Sequence, residues 1–372
     1  MNTTTFEISY PPLHIGADKT QITFYDADSF ISAKSSSKNE DESATGKIYV
    51  TDKTVAQLPT VQKLLSSVTA NDIIVTLEAG ETHKTMDSVL HIIAKALDAN
   101  MQRSSVFIGI GGGVICDMTA FAASIFKRGA CLELIPTTLL AMVDAAIGGK
   151  TGCDFANYKN MVGTFYPAKT IHIASEFVQS LSEEEFSSGL AEVVKTAMLY
   201  DAELFDMMID NKNDILQRNP SFIEKIIYKC AVAKARIVKE DLSEKNIRMQ
   251  LNLGHTFAHA LETLAGLGVV SHGHAVAWGI GRAIQLSLNL GYCDEAYYHR
   301  VFSVLDSYGW CTKAIHPALQ NTAQDAIAPA LLHAMKNDKK NSGKQVRIIL
   351  QKDLNSTVIE PICDDAILQV LC

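Results

Sequence analysis

No stretch of the 372 residues approaches twenty uninterrupted apolar side chains, so no membrane-spanning helix is expected. The opening MNTTTFEISYPP has no basic segment leading into an apolar run, so no secretory signal is expected either. CxxC pairs are missing among the eight cysteines, Cys116, Cys131, Cys153, Cys230, Cys293, Cys311, Cys363 and Cys372. That is the usage of a reduced, cytoplasmic protein rather than of a disulfide framework. Positive charge is not in excess: 33 Lys and Arg stand against 41 Asp and Glu, and the net charge of −8 argues against general nucleic-acid affinity. HExxH, the strict GxGxxG fingerprint and the GxxxxGK phosphate loop are also missing, so zinc protease and ATPase readings have no motif behind them.

What is present is core material. A chain of this length at 47% hydrophobic residues can fill two domains. Up to about residue 178, short β-branched runs alternate with helical periods: Lys47–Thr51, Asp72–Leu77, Ser105–Ile110, Cys131–Ile135 and Lys169–Ala174. Met86, Val89, Ile93, Ala96 and Leu97 repeat at helical spacing between two of them. Such alternation predicts βαβ units and a mostly parallel sheet. The polar, aromatic-free Ser32–Gly46 reads as an exposed loop. From 179 to 372 the pattern is helical, with periods at 201–217, 221–240, 247–265, 274–290, 295–308 and 323–337. Ser182 and Glu185 are spaced as a capping box, and Gln345–Leu350 with Ser356–Ile359 predict a small strand pair. The expectation is an α/β nucleotide-type domain over 1–178 and a helical domain over 179–372, with a ligand in the cleft between such layers.

The densest chemistry lies in NLGHTFAHALE, Asn252–Glu262, followed by SHGH at Ser271–His274. His255 and His259 stand one turn apart on one helix face, with Glu262 continuing the stripe. Leu253, Phe257, Leu261 and Leu264 form a separate apolar stripe. His272 and His274 complete a group of four of the 11 histidines within twenty residues. Clustered imidazoles suit a divalent metal; a satisfied polar stripe on the surface is the competing reading.

Elsewhere, Ile108–Asp117 (IGIGGGVICD) should bring backbone N–H groups against a pyrophosphate at a helix N-terminus, although Cys116 stands where the fingerprint wants its third glycine. Gly80–Lys84 (GETHK) follows a strand end, where sheet ligands bind, or is a solvated turn. Pro136–Asn160 carries two threonines, Asp144, GGKT with Lys150, and Lys159–Asn160, which suit a phosphate or carboxylate. Glu192 and Lys195, three apart on a helix, are either an ordinary surface ion pair or a carboxylate metal ligand with its neighbour.

Taken in order, GETHK, GGGVICD, FKRG, PTTLLAMVD, GGKTG, KNMVGTFY, SGLAEVVK, NIRMQLNLGHTFAHALE, HGHAV and NDKK resemble the 3-dehydroquinate synthases, within the wider sugar phosphate cyclases. The match runs from YPPLHIG at Tyr10 to NDKKNSG at Asn337. The resemblance implies a Rossmann-like N-terminal domain binding NAD, a helical C-terminal domain holding a divalent metal (zinc or cobalt), and a homodimer. It implies conversion of 3-deoxy-D-arabino-heptulosonate 7-phosphate to 3-dehydroquinate and phosphate, by transient oxidation by NAD, phosphate β-elimination, re-reduction and intramolecular aldol closure. Position by position, it makes Glu192, His255 and His272 the metal ligands. It releases His259 for proton handling near the phosphate, and puts Asp144, Lys150, Asn160, Lys195, Lys234, Glu244, Arg248, Asn252 and Lys340 around the substrate. Arg128 matches an arginine that reaches a neighbouring subunit's phosphate site. Asp52, Glu81, Lys84, Gly112, Gly113, Val114, Asp117, Thr137, Thr138, Leu140 and Lys159 match positions around NAD.

The chain departs from the family pattern at Cys116 and Tyr158, where glycine is usual, at Thr196, where tyrosine is usual, and at His274, where HGEAV has glutamate. None of these removes a matched ligand. The alternatives are a related cyclase acting on sedoheptulose 7-phosphate or glucose 6-phosphate, a metal-dependent polyol dehydrogenase, or a non-catalytic paralogue. Lys150, Lys195, Lys234, Arg248 and Lys340 are more cations than a polyol needs, and no matched ligand is lost as a paralogue would predict.

Overall fold

The computed structural model describes residues 3–10, 16–25, 29–30, 46–156, 158–266, 268–337 and 345–372. Two compact units emerge: Met1–Ser182 together with Arg218–Lys245, and Glu183–Gln217 together with Asn246–Cys372.

In the first unit the strands are Thr4–Ser9 (β1), Lys19–Tyr25 (β2), Lys47–Asp52 (β3), Ile73–Leu77 (β4), Val106–Gly111 (β5), Cys131–Pro136 (β6), Cys153–Phe155 (β7), Tyr158–Val162 (β8) and Thr170–Ala174 (β9). Seven of them form one sheet in the order β1-β2-β9-β6-β5-β3-β4, with β7 and β8 as a separate hairpin. All neighbours in the large sheet are parallel except β1 and β2. The five runs expected from the sequence are its consecutive parallel strands β9-β6-β5-β3-β4, with β4 at the edge. The β1–β2 ribbon was not expected, since neither strand has the dense β-branched run of a strand buried on both faces.

The chain passes from β3 outward to β4 and then returns to the other side of β3 as β5. The strand order therefore reverses between β3 and β5, where an α/β sheet opens a crevice at its carboxyl edge. Asp52 ends β3 and Gly111 ends β5, and the helix Gly113–Ile125 starts at once with Gly112 as N-cap. The helix Pro220–Glu240 also groups with this unit, packing on β1 and on the Ala141–Ala145 turn. A single cut at 178/179 would put that helix in the other part.

The second unit is helical, with a terminal hairpin of Val346–Asp353 (β10) and Ser356–Ile362 (β11). Its central helix, Glu183–Tyr200, buries thirteen of its residues, among them Glu192 and Lys195. The continuous helix expected over 247–265 is interrupted. Ile247–Asn252 is a tight 3-10 turn, Gly254 takes a left-handed φ of 79°, and the helix proper begins at His255. The cause is close backbone approach. A Cβ on Gly254 would lie 2.7 Å from the Ile280 nitrogen, and one on Gly279 would lie 2.1 Å from the Gly254 carbonyl oxygen. Gly273 does the same toward the central helix, where its Cβ would fall 1.9 Å from the Ser188 carbonyl oxygen. Glycine contacts thus bring together the three helices that carry Glu192, His255 and His272.

Candidate functional site

At the carboxyl edge of the first unit's sheet, backbone dominates. A Cβ on Gly111 would meet the Ile115 side chain at 2.6 Å, one on Gly112 the Thr138 methyl at 3.0 Å, and one on Gly113 the Ala145 methyl at 3.2 Å. The glycines let the helix start lie flush against the turn after β6, leaving the first N–H groups of the Gly113–Ile125 helix at the crevice. Val114 lies in that first turn, and Leu140 is the residue nearest Gly113 after Ala145. Thr137 N–H donates to the Gly111 carbonyl at 2.9 Å, while the buried Thr137 hydroxyl has no partner among the described residues. Thr138 Oγ1 accepts from Ala141 N–H at 3.2 Å. Asp52 Oδ1 accepts from the N–H groups of Thr54 and Val55, each at 2.9 Å, so this carboxylate is fixed at the end of β3. Cys116 is buried with its thiol 3.6 Å from the Gly111 carbonyl, and burial pushes that thiol well up, so it is an inert wall rather than a nucleophile.

Lys84 is the hub of this edge. Its Nζ lies 2.6 Å from Asp117 Oδ2 and 2.6 Å from Asn160 Oδ1. Burial alone would lower the Lys84 pKa, but Asp117 and Glu81 outweigh it and hold the ammonium charged, well above the ordinary lysine range. Lys159 approaches Glu81 at 3.7 Å. The β7–β8 hairpin that presents Lys159 and Asn160 is tied down by Asp154, whose Oδ1 accepts from Asn160 N–H at 2.8 Å. In turn, Asp154 N–H donates to the Lys84 carbonyl at 2.7 Å. Asn160 sits at φ 52°, a left-handed conformation that this clamp holds.

Two further ion pairs lie in this unit. Asp144 is on the π-helical turn Ala141–Ala145, and Lys234 Nζ reaches both its carbonyl at 2.6 Å and its Oδ1 at 2.7 Å. Lys150 pairs with Glu244, itself at φ 57°. GGKT does not open a helix: Gly148 and Gly149 have φ of 105° and 68°, and Lys150 forms a bridge with Phe165. Arg128 is exposed at φ 67° in the Phe126–Arg128 turn.

In the second unit, Glu192, His255 and His272 converge, each offering a ligand atom, all within 4.8 Å of one another. Glu192 Oε1 is 3.8 Å from His255 Nε2 and 3.5 Å from His272 Nε2. These are long for hydrogen bonds, but bonds of about 2.1 Å in a tetrahedral site put neighbouring ligand atoms roughly 3.4 Å apart. Two imidazoles and one carboxylate are also the donor set of catalytic zinc with an open position. The residues fit a divalent metal.

Glu192 and Lys195, 2.5 Å apart, have side chains 0% and 1% exposed, so the surface-pair reading does not hold. His272 Nδ1 lies 3.3 Å from Glu262 Oε1. Burial alone would lower the His272 pKa, yet Glu192 and Glu262 raise it to about 9. His259 stacks on His272 with ring centroids 6.4 Å apart, at the margin of the cluster rather than in it. Arg248 is buried, and Asn252 Nδ2 donates to the Met249 carbonyl at 3.1 Å. His274 turns away from the cluster, bonding Ser187 Oγ at 2.9 Å, and burial pushes its imidazole pKa down. Lys340 lies outside the described residues. Two positions not given a site role are Glu262, beside His272 in the second unit, and Asp154, beside Asn160 in the first. Glu262 was visible as the third member of the histidine stripe, whereas nothing local marked Asp154.

Comparison with known proteins decides the family. The N-terminal and C-terminal models of 3-dehydroquinate synthase match residues 74–188 and 189–341. The chain is 38% identical to the 3-dehydroquinate synthase of Acidithiobacillus ferrooxidans over 317 residues, covering 83% of each chain. This chain belongs to the 3-dehydroquinate synthase family. A Methylococcus capsulatus 3-dehydroquinate synthase is 37% identical over 320 residues, covering 86% of each chain. The family fold is seen in a 2-epi-5-epi-valiolone synthase from Streptomyces hygroscopicus subsp. jinggangensis, solved with NAD+ and Zn2+. It has a TM-score of 0.81 at 24% identity and covers 94% of this chain and 95% of that one. A 2-deoxy-scyllo-inosose synthase solved with carbaglucose-6-phosphate, NAD+ and Co2+ has a TM-score of 0.81 at 22% identity, covering 99% of each chain.

Proposed function

We propose that this chain is a 3-dehydroquinate synthase, an NAD- and metal-dependent carbon–oxygen lyase. It converts 3-deoxy-D-arabino-heptulosonate 7-phosphate to 3-dehydroquinate and phosphate, in the shikimate route to aromatic amino acids. The observation that carries this reading is the Glu192–His255–His272 cluster, two of its three members buried, in a chain 38% identical to a curated enzyme of that name. NAD and zinc or cobalt are assigned by the donor set and the glycine-lined sheet edge, supported by the cofactors of the two solved cyclases.

When bound, NAD supplies a reversible hydride acceptor and the metal a Lewis acid. Glu192, His255 and His272 hold the ion. Gly112, Gly113 and Val114 offer N–H groups to the NAD pyrophosphate, and Asp52, Glu81, Lys84, Asp117, Thr137, Thr138, Leu140 and Lys159 surround the rest of the cofactor. Lys150, Lys195, Lys234, Arg248 and Lys340 recognise a substrate that is both carboxylate and phosphate. Asp144 and Glu244 orient two of those lysines, with Asn160 and Asn252 as neutral donors. His259 takes up the proton released beside the departing phosphate at a ring nitrogen. Arg128, exposed at a left-handed turn, serves the phosphate site of the second subunit in a homodimer. Eight free cysteines support a reducing, cytoplasmic setting, and no helix among the described residues is long and apolar enough to cross a membrane.

The test is release of inorganic phosphate from the heptulosonate phosphate with no net NADH, with zinc or cobalt added. Steady NADH accumulation would point to a polyol dehydrogenase. Turnover of sedoheptulose 7-phosphate or glucose 6-phosphate in its place would point to another cyclase.

A further inference from the structure

The two histidines of the metal cluster are held differently at Nδ1. His255 Nδ1 lies 3.2 Å from the Leu253 carbonyl oxygen, and His272 Nδ1 lies 3.3 Å from the Glu262 carboxylate. In each ring an acceptor at Nδ1 holds a hydrogen there, so that on binding an ion beside Glu192 it is Nε2 that gives up its proton and ligates. Packing does not restrain the two rings equally. The His255 side chain is 10% exposed, whereas that of His272 is 32% exposed.

The His272 backbone is well seated. Gly273 N–H donates to Ser188 Oγ at 3.0 Å, and Gly273 has no room for a Cβ against the Ser188 carbonyl. Ser188 is one helical turn before Glu192, so this contact fixes the His272 main chain relative to the carboxylate ligand. What remains free is rotation about the His272 side-chain bonds. Glu262 is the group positioned to stop it: a carboxylate only 3% exposed, on the helix that carries His255. Burying a carboxylate is costly unless partners compensate it, so its aim at one imidazole nitrogen is specific.

We propose that Glu262 is the positioning residue of the metal centre, accepting the Nδ1 hydrogen of His272 and so holding Nε2 toward the ion. The proposal rests on the metal reading of the cluster. Glu262 is not one of the three residues whose ligand atoms cluster.

The experiment is zinc titration of the metal-stripped full chain against a chromophoric chelator, for the parent, E262Q and E262L. Glutamine keeps an acceptor for Nδ1–H without the charge, and leucine removes both. Loss of such an outer partner costs about 10- to 100-fold in metal affinity, with E262Q expected near the low end and E262L near the high end. The cobalt-substituted E262L protein should also show altered visible bands, a change of coordination that a general loss of stability would not produce. Parent-like zinc affinity in both variants overturns the role of Glu262 while leaving the metal site standing. If E262L does not fold, E262Q decides alone, with weaker binding supporting the proposal and unchanged binding overturning it. A parent chain that binds no zinc overturns this proposal and the metal reading together.

Discussion

Lys84 and Asn160, 76 positions apart, meet through a 2.6 Å hydrogen bond from the ammonium to the side-chain oxygen. The same ammonium holds Asp117 at 2.6 Å. A residue proposed to touch NAD and one proposed to touch the sugar phosphate therefore share a single donor.

Lys84→Met should weaken NAD binding and raise the KM for the sugar phosphate together. It should also cost about 3–5 kcal/mol of stability, because Asp117 is left as a largely buried, uncompensated charge. Calorimetric NAD titration, steady-state kinetics and denaturant unfolding check the three parts. A variant changed in NAD affinity alone would separate the two sites.

Removing a member of the Glu192–His255–His272 cluster should empty the proposed metal centre. His272→Ala and Glu192→Gln should each lose activity and bound metal, and chelator-treated parent protein should regain activity with zinc or cobalt. Full metal occupancy in His272→Ala would take His272 out of the ligand set.

Gly273→Ala changes no ligand, yet its Cβ would fall 1.9 Å from the Ser188 carbonyl oxygen. Overpacking of this kind costs about 1–3 kcal/mol, and here it pushes the start of the His272 helix off the central helix. The expected result is a lowered melting temperature with metal content well below that of the parent, read by elemental analysis.

Arg128→Ala should reduce activity sharply without disturbing the fold, since the side chain is exposed. Mixed with an inactive His255→Ala protein, it should recover part of the activity, since in the proposed homodimer some pairs then carry one complete site. No recovery after subunit exchange would rule out a shared phosphate site.

The parallel centre of the sheet was legible because β3, β5 and β6 are buried and so carry continuous apolar runs. The apolar stripe of the NLGHTFAHALE helix was likewise legible: Leu253, Phe257 and Leu261 are buried, while Leu264 at its end is half-buried. Hidden were features that depend on distant backbone. The break at Gly254 answers to Ile280, and the hold on Asn160 comes from Asp154 and Lys84. His274, next but one to His272, gave no local sign that it faces Ser187. Glu192 and Lys195 looked like an ordinary exposed pair because spacing alone carries no information on burial.

The grouping of Pro220–Glu240 with the first unit bears on how the protein is made. Neither unit is a continuous piece of chain: the path enters the second unit at 183, returns to the first at 218 and leaves it again at 246. During synthesis the first unit cannot be completed until residue 245 has emerged, by which time the residues of the helix bearing Glu192 have emerged as well. A fragment ending at 182 lacks both Lys234 and Glu244, so no single cut yields two self-sufficient halves. Recombination between relatives would have to exchange the interleaved middle as a block.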